Sequence, residues 1–286
     1  MSEFPLDTQR VAIVGLGLMG GSLAMALRGR VAGLYAVDPD PRTRALAREW
    51  GLVDLVAARP EAVLPHVDAV ILAAPVQAMV ELIPELPRWM PQPALVLDVG
   101  STKQAVCQAL SQLPPRFDVV GGHPIAGKER GGLAQADPAL FRGAPFVFTP
   151  LPRTSPRARA FAETLARTVG AYPVWTTPEE HDRGLAFTSH LPYLLGVALA
   201  RSVPAEMRAF IGPGFRSASR LAASSPRMMR DIMATNLDAV LEALERMEDE
   251  LAVVRRLLRQ GRPEVWEDFF AEAAAYRRFL LGGEME

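Results

Sequence analysis

Short apolar runs alternate with helical segments along the first half of the chain. The runs Arg10–Val14, Ala69–Ala73 and Ala94–Val99 are almost wholly apolar and have the length of strands buried on both faces. Helical patterns follow them, for example over Leu18–Arg28 and Lys103–Leu113. This alternation predicts an α/β fold with a doubly wound parallel sheet. The other predicted strands are Leu34–Val37, Val119–Val120, Phe146–Thr149 and Tyr172–Trp175, and the other helices are Pro41–Trp50, Val76–Leu86 and Pro156–Val169.

After residue 177 the strand pattern disappears and long helical patterns fill the chain. They cover Pro178–Arg201, Pro226–Arg259 and Pro263–Leu281, and each begins with proline, which is favoured at the first position of a helix. We therefore predict an α/β domain over residues 1–176 and an all-α domain over residues 177–286. Because Leu185–Ala200 carries few charges, we expect it to be buried on most sides and the helical domain to form a homodimer. A self-contained bundle is the alternative.

Composition narrows the class of function. The 286 residues are 49% hydrophobic with a net charge of −1, which favours a small-molecule enzyme over a protein that binds nucleic acid or an anionic membrane. The N-terminus lacks a signal-peptide core, and no apolar run reaches ~18 residues without a charge or a helix breaker. We therefore expect a cytoplasmic protein with no membrane span. One cysteine and four histidines offer little for a metal site, so we predict none and expect Cys107 to be a packed structural thiol.

A glycine-rich turn follows the first predicted strand. Gly15, Gly17 and Gly20 have the GxGxxG spacing between a strand and a helix that is typical of dinucleotide-binding folds. The first glycine permits a tight turn, the second lets the backbone approach a pyrophosphate, and the third lets the helix pack closely. Asp38 ends the second strand, where a carboxylate accepts hydrogen bonds from ribose hydroxyls and repels a 2′-phosphate, so we predict NAD as the cofactor. The cofactor-binding candidates of the loop are Gly15, Gly17, Leu18, Met19 and Gly20.

Further candidates follow other strand ends, where open α/β sheets bind their ligands. Ala74 and Pro75 follow one strand and are expected to flank the cofactor. Ser101 follows the next strand, although it or Thr102 alternatively caps the helix that comes after. His123 lies in a glycine-rich loop, where an imidazole can accept a proton from a substrate hydroxyl as a hydride leaves the same carbon. A purely structural histidine is the alternative.

The helical half adds polar groups with open roles. We expect His181, which precedes Asp182, to have a structural role, capped or paired near the start of a helix, and His190 faces either the cleft or the core. The segments Gly212–Arg216 and Ser219–Arg220 predict a turn rich in guanidinium groups, which suit carboxylates. A surface salt bridge is the alternative for each arginine.

Several segments together resemble the prephenate dehydrogenases, a family that includes arogenate and cyclohexadienyl dehydrogenases. They are GLGLMGGSLA, DVGSTK, GGHPIAGKERGG, HDR, SHLP, GFRSASRLAASSP and RDI, in the expected order along nearly the whole chain. The resemblance implies a Rossmann domain followed by a helical dimerisation domain, and NAD-dependent oxidative decarboxylation of prephenate to 4-hydroxyphenylpyruvate for tyrosine biosynthesis. It also implies that His123 is the catalytic histidine, that Ser101 orients it and the nicotinamide, and that Arg220 holds a substrate carboxylate.

The chain departs from the family pattern at Tyr193, where many prephenate-specific members have a second histidine. We expect Tyr193, His190 and Gly214 to bind substrate together with Arg220. Because tyrosine can donate or accept a hydrogen bond, arogenate specificity and dual specificity remain alternatives. More distant alternatives are a non-catalytic NAD-binding dimer and a 3-hydroxyacid dehydrogenase, although the chain has no lysine after residue 128 to serve the latter reaction.

Overall fold

The computed structural model describes residues 4–128 and 130–282. Its strands are β1 (Arg10–Val14), β2 (Gly33–Val37), β3 (Leu55–Ala57), β4 (Ala69–Leu72), β5 (Ala94–Asp98), β6 (Phe117–Pro124), β7 (Pro145–Pro150) and β8 (Tyr172–Trp175). They form one eight-stranded sheet in the order β3-β2-β1-β4-β5-β6-β7-β8. This crossover order confirms the predicted doubly wound sheet, and β3 is a short edge strand that the sequence pattern missed.

The sheet is parallel as predicted except at β7, which pairs antiparallel with β6. The other neighbouring pairs of the sheet are parallel. A parallel return needs a crossover connection, usually a helix. The described residues between β6 and β7 contain only one three-residue 3-10 helix, Leu133–Gln135, so the chain returns in the opposite direction.

Helices cover both faces of the sheet because its strands are apolar on both sides. In β1, Val11 and Ile13 belong to one buried apolar cluster, and Ala12 and Val14 belong to the other. The helices of this part are α1 (Leu18–Leu27), α2 (Pro41–Glu49), α3 (Val76–Leu82), α4 (Leu86–Trp89), α5 (Gln104–Ser111) and α6 (Pro156–Thr168). The single helix predicted over Val76–Leu86 instead ends at Leu82 and continues as a 3-10 turn that contains Pro84, which cannot donate a backbone hydrogen bond.

The rest of the chain is helical, with interruptions that its periodicity does not show. The helices are α7 (Pro178–Leu185), α8 (Leu191–Ser202), α9 (Pro213–Ala218), α10 (Pro226–Thr235), α11 (Leu237–Gln260) and α12 (Pro263–Leu280). A π-helical segment, Ala186–His190, joins α7 to α8. The predicted first-position prolines of α7, α10 and α12 are confirmed. Asn236 leaves the helical conformation, with φ −142° and ψ 34°, and divides the single helix predicted over Pro226–Arg259.

Two local expectations for this half are wrong. The predicted turn at Gly212–Arg216 is largely helical, because α9 begins at Pro213. The segment Leu185–Ala200 is not buried on most sides, since within α8 only Leu191 and Gly196 are buried. Gly196 marks the packed face, because a Cβ there would lie 3.4 Å from the backbone nitrogen of Ala222.

Two compact units make up the chain, Met1–Val240 and Leu241–Glu286. The first contains the sheet and α1 to α10, and the second contains most of α11 and all of α12. Within the second unit, the indole nitrogen of Trp266 donates to the carbonyl of Leu257 at 2.8 Å. The domain boundary near residue 176 rests on the change from strands to helices and stays a prediction. Across residues 4–128 and 130–282, no helix has both the length and the apolar character needed to span a bilayer.

Candidate active site

The glycine turn after β1 is shaped by close backbone contacts. Gly15 has φ +97°, and a Cβ there would lie 2.7 Å from the carbonyl oxygen of Ala73. A Cβ on Gly20 would lie 1.8 Å from the carbonyl oxygen of Gly15, so only glycine lets α1 start this close to the turn. Around Gly17 a Cβ would meet nothing within 4 Å. The backbone is therefore open to a ligand at Gly17 and closely packed at the other two glycines.

Groups suited to a dinucleotide surround this turn. No side chain caps the start of α1, so the N–H groups of Leu18 and Met19 are available to a phosphate. Asp38 directly follows β2, and its carboxylate accepts from the backbone nitrogens of Leu16 at 2.8 Å and Asp40 at 2.9 Å. Each carboxylate oxygen has a second acceptor position, which leaves room for ribose hydroxyls. The loop residues Ala74 and Pro75 lie between β4 and α3, and Pro75 directly precedes α3. The residues present thus fit NAD.

His123 lies near the end of β6 and contacts a second histidine. Its Nδ1 is 2.9 Å from Nε2 of His181, and the two rings meet edge to face at 5.1 Å between centroids. Nδ1 of His181 is in turn 2.7 Å from Oδ1 of Asp182. His123 is partly exposed, whereas His181 and Asp182 are buried. The three side chains form one hydrogen-bonded row from the sheet into α7.

The same aspartate caps α5 from a distance. Oδ1 of Asp182 accepts from the backbone nitrogen of Lys103 at 2.6 Å, and Oδ2 accepts from that of Gln104 at 2.8 Å. The alternative in which Ser101 or Thr102 caps this helix is therefore wrong, because its start has no local side-chain cap. The hydroxyl of Thr102 instead lies 2.7 Å from that of Thr235.

The role of Ser101 in orienting His123 stays a prediction. Ser101 is partly exposed at the end of β5, beside the start of α5. Among the described residues, the hydrogen-bond partner of the His123 ring is His181. The sequence did not identify that contact, because 57 intervening residues separate the two histidines along the chain.

A buried ion pair lies behind the strand of His123. The ammonium group of Lys103 donates to the carboxylate of Asp98 and, at 2.6 Å, to the carbonyl of Gly122. Asp98 also accepts from the backbone nitrogens of Gly100 and Gly122. Both charged side chains are fully buried. The sequence offered one signal, since Lys103 is one of only two lysines in the chain.

Hydrogen bonding assigns the tautomer of a third histidine, His190. The side-chain nitrogen of Asn236 donates to the carbonyl of Asp182 at 2.7 Å and lies 3.3 Å from Nδ1 of His190. Because a carbonyl can only accept, this amide atom is the nitrogen, and Nδ1 of His190 must accept from it. The proton of the neutral His190 ring is therefore on Nε2. His190 is 1% exposed, so the core is the environment of most of its side chain.

Burial keeps all three imidazoles neutral at pH 7. It lowers the pKa of His123 well below the ordinary 6.5, and the neighbouring His181, Lys103 and His190 lower this pKa further. Burial also lowers the pKa of His181, although the hydrogen bond to Asp182 opposes this shift. The pKa of His190 falls to about 4, again chiefly through burial. A neutral His123 can accept a proton, as a general base requires.

Apart from His190, the predicted substrate residues lie on three helical segments of the first unit. Tyr193 is partly exposed on α8, and Gly214 is exposed on α9. Arg220 is exposed at the start of a 3-10 helix, Arg220–Ala223, whose backbone packs against Gly196 of α8. Tyr193 and Arg220 are thus carried by two segments in contact, and their roles stay predictions.

The single cysteine is buried beneath the sheet. Sγ of Cys107 lies 3.2 Å from the hydroxyl of Thr149, and burial raises the pKa of the thiol to about 11. A thiol with this pKa carries little thiolate at pH 7, which agrees with a structural rather than a nucleophilic cysteine. Within the described part of the chain, no cluster of three or more histidine, cysteine or acidic residues could hold a metal ion.

Comparison with known proteins gives consistent matches over most of the chain. The family model for the prephenate dehydrogenase nucleotide-binding domain matches residues 23–174, and the model for the prephenate dehydrogenase dimerization domain matches residues 177–272. The chain is 32% identical to prephenate dehydrogenase of Bacillus subtilis (strain 168), over 93% of this chain and 75% of that protein. It is 30% identical to cyclohexadienyl dehydrogenase of Zymomonas mobilis, over 95% and 96% of the two chains.

Solved structures agree with these matches. Prephenate dehydrogenase from Aquifex aeolicus, in complex with hydroxyphenyl propionate and NAD+, superposes with a TM-score of 0.87 at 31% identity, covering 96% of this chain and 98% of that one. Arogenate dehydrogenase from Synechocystis gives a TM-score of 0.81 at 29% identity, covering 94% and 99%.

Proposed function

This chain belongs to the prephenate dehydrogenase family, and on that basis we propose that it converts prephenate to 4-hydroxyphenylpyruvate and carbon dioxide with NAD as oxidant. The observation that carries the proposal is His123, a partly exposed imidazole kept neutral by its surroundings at the end of β6. The reaction needs such a group, because the hydroxyl on C4 of the substrate must lose its proton as C4 is oxidised.

The glycine turn and the end of β2 are the proposed cofactor site. Gly15 and Gly20 permit the tight packing of the turn, Gly17 lets the backbone approach the pyrophosphate, and the start of α1 offers its N–H groups to the phosphates. Asp38 is the proposed acceptor for the ribose hydroxyls, which favours NAD over NADP. When bound, NAD accepts the hydride that leaves C4 of the substrate ring.

His123 is the proposed general base. It takes the proton of the C4 hydroxyl, the ring carboxylate then leaves as carbon dioxide, and the ring becomes aromatic. The proton returns to the phenolic oxygen, so prephenate and NAD+ are converted to 4-hydroxyphenylpyruvate, carbon dioxide and NADH with no net change in protons. Ser101 is proposed to orient His123 and the nicotinamide, as the family resemblance implies.

Arg220 is the proposed anchor for a substrate carboxylate. A guanidinium group holds a carboxylate through two parallel hydrogen bonds and remains charged throughout the reaction. Gly214 and Tyr193 are proposed to line the same site, and His190 to contribute the proton of Nε2 that its contact with Asn236 leaves available.

Arogenate is the second candidate substrate, alone or alongside prephenate. Tyr193 favours it, since a phenol can accept a hydrogen bond from the amine of arogenate as well as donate one to the keto group of prephenate. We also propose that the protein is a homodimer through its helical region, because the matched family model for residues 177–272 is that of a dimerization domain.

The test is NADH formation by the purified protein with prephenate and arogenate, each with NAD and NADP. We expect turnover with prephenate and NAD, and we expect it to be lost in His123→Asn. A higher kcat/KM with arogenate would replace the proposed substrate by the second candidate. A kcat in His123→Asn close to the wild-type value would contradict the proposed base, and NAD binding without turnover of either substrate by the wild-type protein would favour a non-catalytic NAD-binding protein.

A further inference from the structure

We propose that His181 and Asp182 are positioning residues that fix the proton of the His123 ring on Nδ1 and leave Nε2 as the basic nitrogen. The inference rests on the proposed function of His123 as the general base. It adds which ring nitrogen accepts the substrate proton and which residues determine that choice. Its basis is the row of contacts from Asp182 through His181 to His123, two links of 2.7 and 2.9 Å.

Asp182 sets the direction of the hydrogen bonds. Its carboxylate accepts from two backbone N–H groups at the start of α5, those of Lys103 and Gln104. An ionised carboxylate is an acceptor only, so Nδ1 of His181 must carry a proton and donate it. Asp182 is also held through its backbone, whose carbonyl accepts from Asn236.

His181 passes this direction on to His123. Burial lowers the pKa of His181, so its ring carries one proton at pH 7, and the contact with Asp182 places that proton on Nδ1. Nε2 of His181 is then an acceptor, and Nδ1 of His123 must be the donor across the 2.9 Å contact. A neutral His123 ring has no second proton, so its Nε2 carries the lone pair.

The row also has a role after the proton has been taken up. The imidazolium form of His123 would be opposed by the buried ammonium of Lys103, and burial itself disfavours the charge. Its Nδ1–H points through His181 towards the carboxylate of Asp182, the negative group at the far end of the row. Asp98 already pairs with Lys103, and His190 is neutral, so Asp182 is the group placed to stabilise the charge that develops on His123.

The tautomer can be measured without any substrate. In 15N-histidine-labelled protein at pH 7.5, long-range 1H–15N correlations distinguish the two neutral forms of each ring. We expect His123 and His181 to carry their protons on Nδ1 and His190 to carry its proton on Nε2. His66→Asn serves the assignment as a control, because His66 is exposed on a separate 3-10 helix and its removal should leave the other three rings unchanged.

Two substitutions of His181 test its contact with His123 separately from its contact with Asp182. In His181→Asn, the side-chain amide can still reach Asp182 but cannot accept from His123, so we expect kcat to fall about 100-fold, within the range for general-base catalysis. In His181→Gln, the longer amide places an oxygen near the former Nε2, which restores the acceptor, so we expect a loss of only a few fold. KM for the substrate should change little in both, and the Nδ1–H form of His123 should persist in His181→Gln alone.

Several outcomes would overturn the proposal. A wild-type His123 with its proton on Nε2 refutes it directly, even where the substituted proteins do not fold. Equal kcat values in His181→Asn and His181→Gln, with lowered Tm in both, would reduce the role of His181 to packing. A wild-type protein with the expected tautomers but no turnover on prephenate would instead contradict the proposed substrate, so the two failures are distinguishable.

Discussion

At the scale of single residues, His123, His181 and His190 differ in how far their side chains are exposed to solvent. His181 and His190 are 2% and 1% exposed, whereas His123 is partly exposed at the end of its strand. A proton can pass between an imidazole and a bound substrate only at a nitrogen that the substrate reaches. Among these three rings, His123 is therefore the one suited to act as the base, and the other two are suited to fixed hydrogen bonds.

His123→Asn should abolish the chemical step and spare the cofactor. Asparagine keeps a polar group of similar size but cannot accept the proton, so we expect kcat to fall by about 10²- to 10⁴-fold. The NAD dissociation constant, measured by calorimetry, should stay near the wild-type value because the glycine turn is untouched. A loss of NAD affinity comparable to the loss of kcat would indicate that the substitution disturbs the fold.

Arg220→Ala should act mainly on substrate binding. Loss of a hydrogen bond between two charged groups raises KM by about 10- to 100-fold, while kcat should change little. Arg201→Ala is the matched control, since Arg201 is also an exposed arginine, in the last turn of α8, and no role is assigned to it. An unchanged KM in Arg220→Ala would remove this residue from the proposed substrate site.

His190 should make the protein less stable in acid. Its pKa is about 4 in the folded protein and near 6.5 in the unfolded chain, so between these values the unfolded chain binds more protons. The stability contributed by the neutral ring is complete above pH 6.5 and is lost as the pH falls towards 4, by at most about 3 kcal/mol. Urea unfolding at several pH values should show a shallower loss in His190→Gln than in wild type, and identical slopes would contradict the assignment.

The sequence indicated candidate residues of the site more readily than the contacts these residues make. His123 and Asp38 are candidates because a loop histidine and a strand-end carboxylate follow recognisable patterns, and their roles stay predictions. The contacts of Asp182 with α5 were not found, because they join residues 78 and 79 positions apart that no spacing rule connects. Lys103 was noticed for its rarity, but its burial follows only from the packing of β5 against β6.

At the scale of elements, tertiary contacts rather than local ones fix the ends of β5, β6 and α5. The ammonium of Lys103 joins the last residue of β5 to the carbonyl of Gly122 in β6, and Asp182 of α7 caps α5. Every one of these polar groups is buried and paired, so removal of any partner leaves another group unsatisfied. The position of His123, the next residue along β6, depends on this arrangement.

Lys103→Met should lower stability far more than an equivalent change at the surface. Removing one partner of a buried pair leaves the other charge uncompensated, at a cost of about 3–5 kcal/mol in the free energy of unfolding. Lys128→Met is the matched control, because Lys128 pairs with Asp137 at the surface, and its loss should cost less than about 1 kcal/mol. Equal urea midpoints for the two variants would show that the buried pair contributes little.

The pattern of apolar residues and prolines predicted the regular helices and strands. It did not predict the irregular features of the fold. The strand Tyr172–Trp175 and the starts of α7, α10 and α12 agree with prediction, since proline and periodicity mark them. The antiparallel direction of β7 was missed, because direction depends on the connection before a strand and not on its composition. The break at Asn236 was not predicted because the apolar spacing of the helix continues across it. The Asn236 side chain instead hydrogen-bonds to the carbonyl of Asp182 and to Nδ1 of His190.

At the scale of the whole molecule, the apolar surface of the helical half agrees with self-association. Leu194 and Leu195 of α8 are only partly buried in a single chain, and in the second unit Leu251, Leu258 and Phe270 are each at least half exposed. Exposed apolar side chains in such numbers are typical of an interface with another molecule. The low charge of Leu185–Ala200 led us to expect both burial and dimerisation, and in the single chain only Leu191 and Gly196 of α8 are buried.

Light scattering after size-exclusion chromatography should give a particle of twice the 31.1 kDa chain mass. The mass should stay constant on dilution through the concentrations used for assays, because obligate interfaces of this apolar kind are stable. A mass of one chain throughout that range would contradict the proposed homodimer and favour the self-contained bundle.

The capping of α5 by Asp182 also matters while the chain is being synthesised. All eight strands lie before residue 176, so the sheet and the glycine turn can form before Asp182 and His181 have been added. At synthesis rates of about 5–20 residues per second, the six residues from 177 to 182 take about 0.3–1 s to add, and the nascent chain is in that state until then. During this time α5 lacks its cap and His123 lacks its partner ring. A fragment terminated in this interval would carry the cofactor residues without an oriented base, so prematurely terminated chains would be catalytically silent.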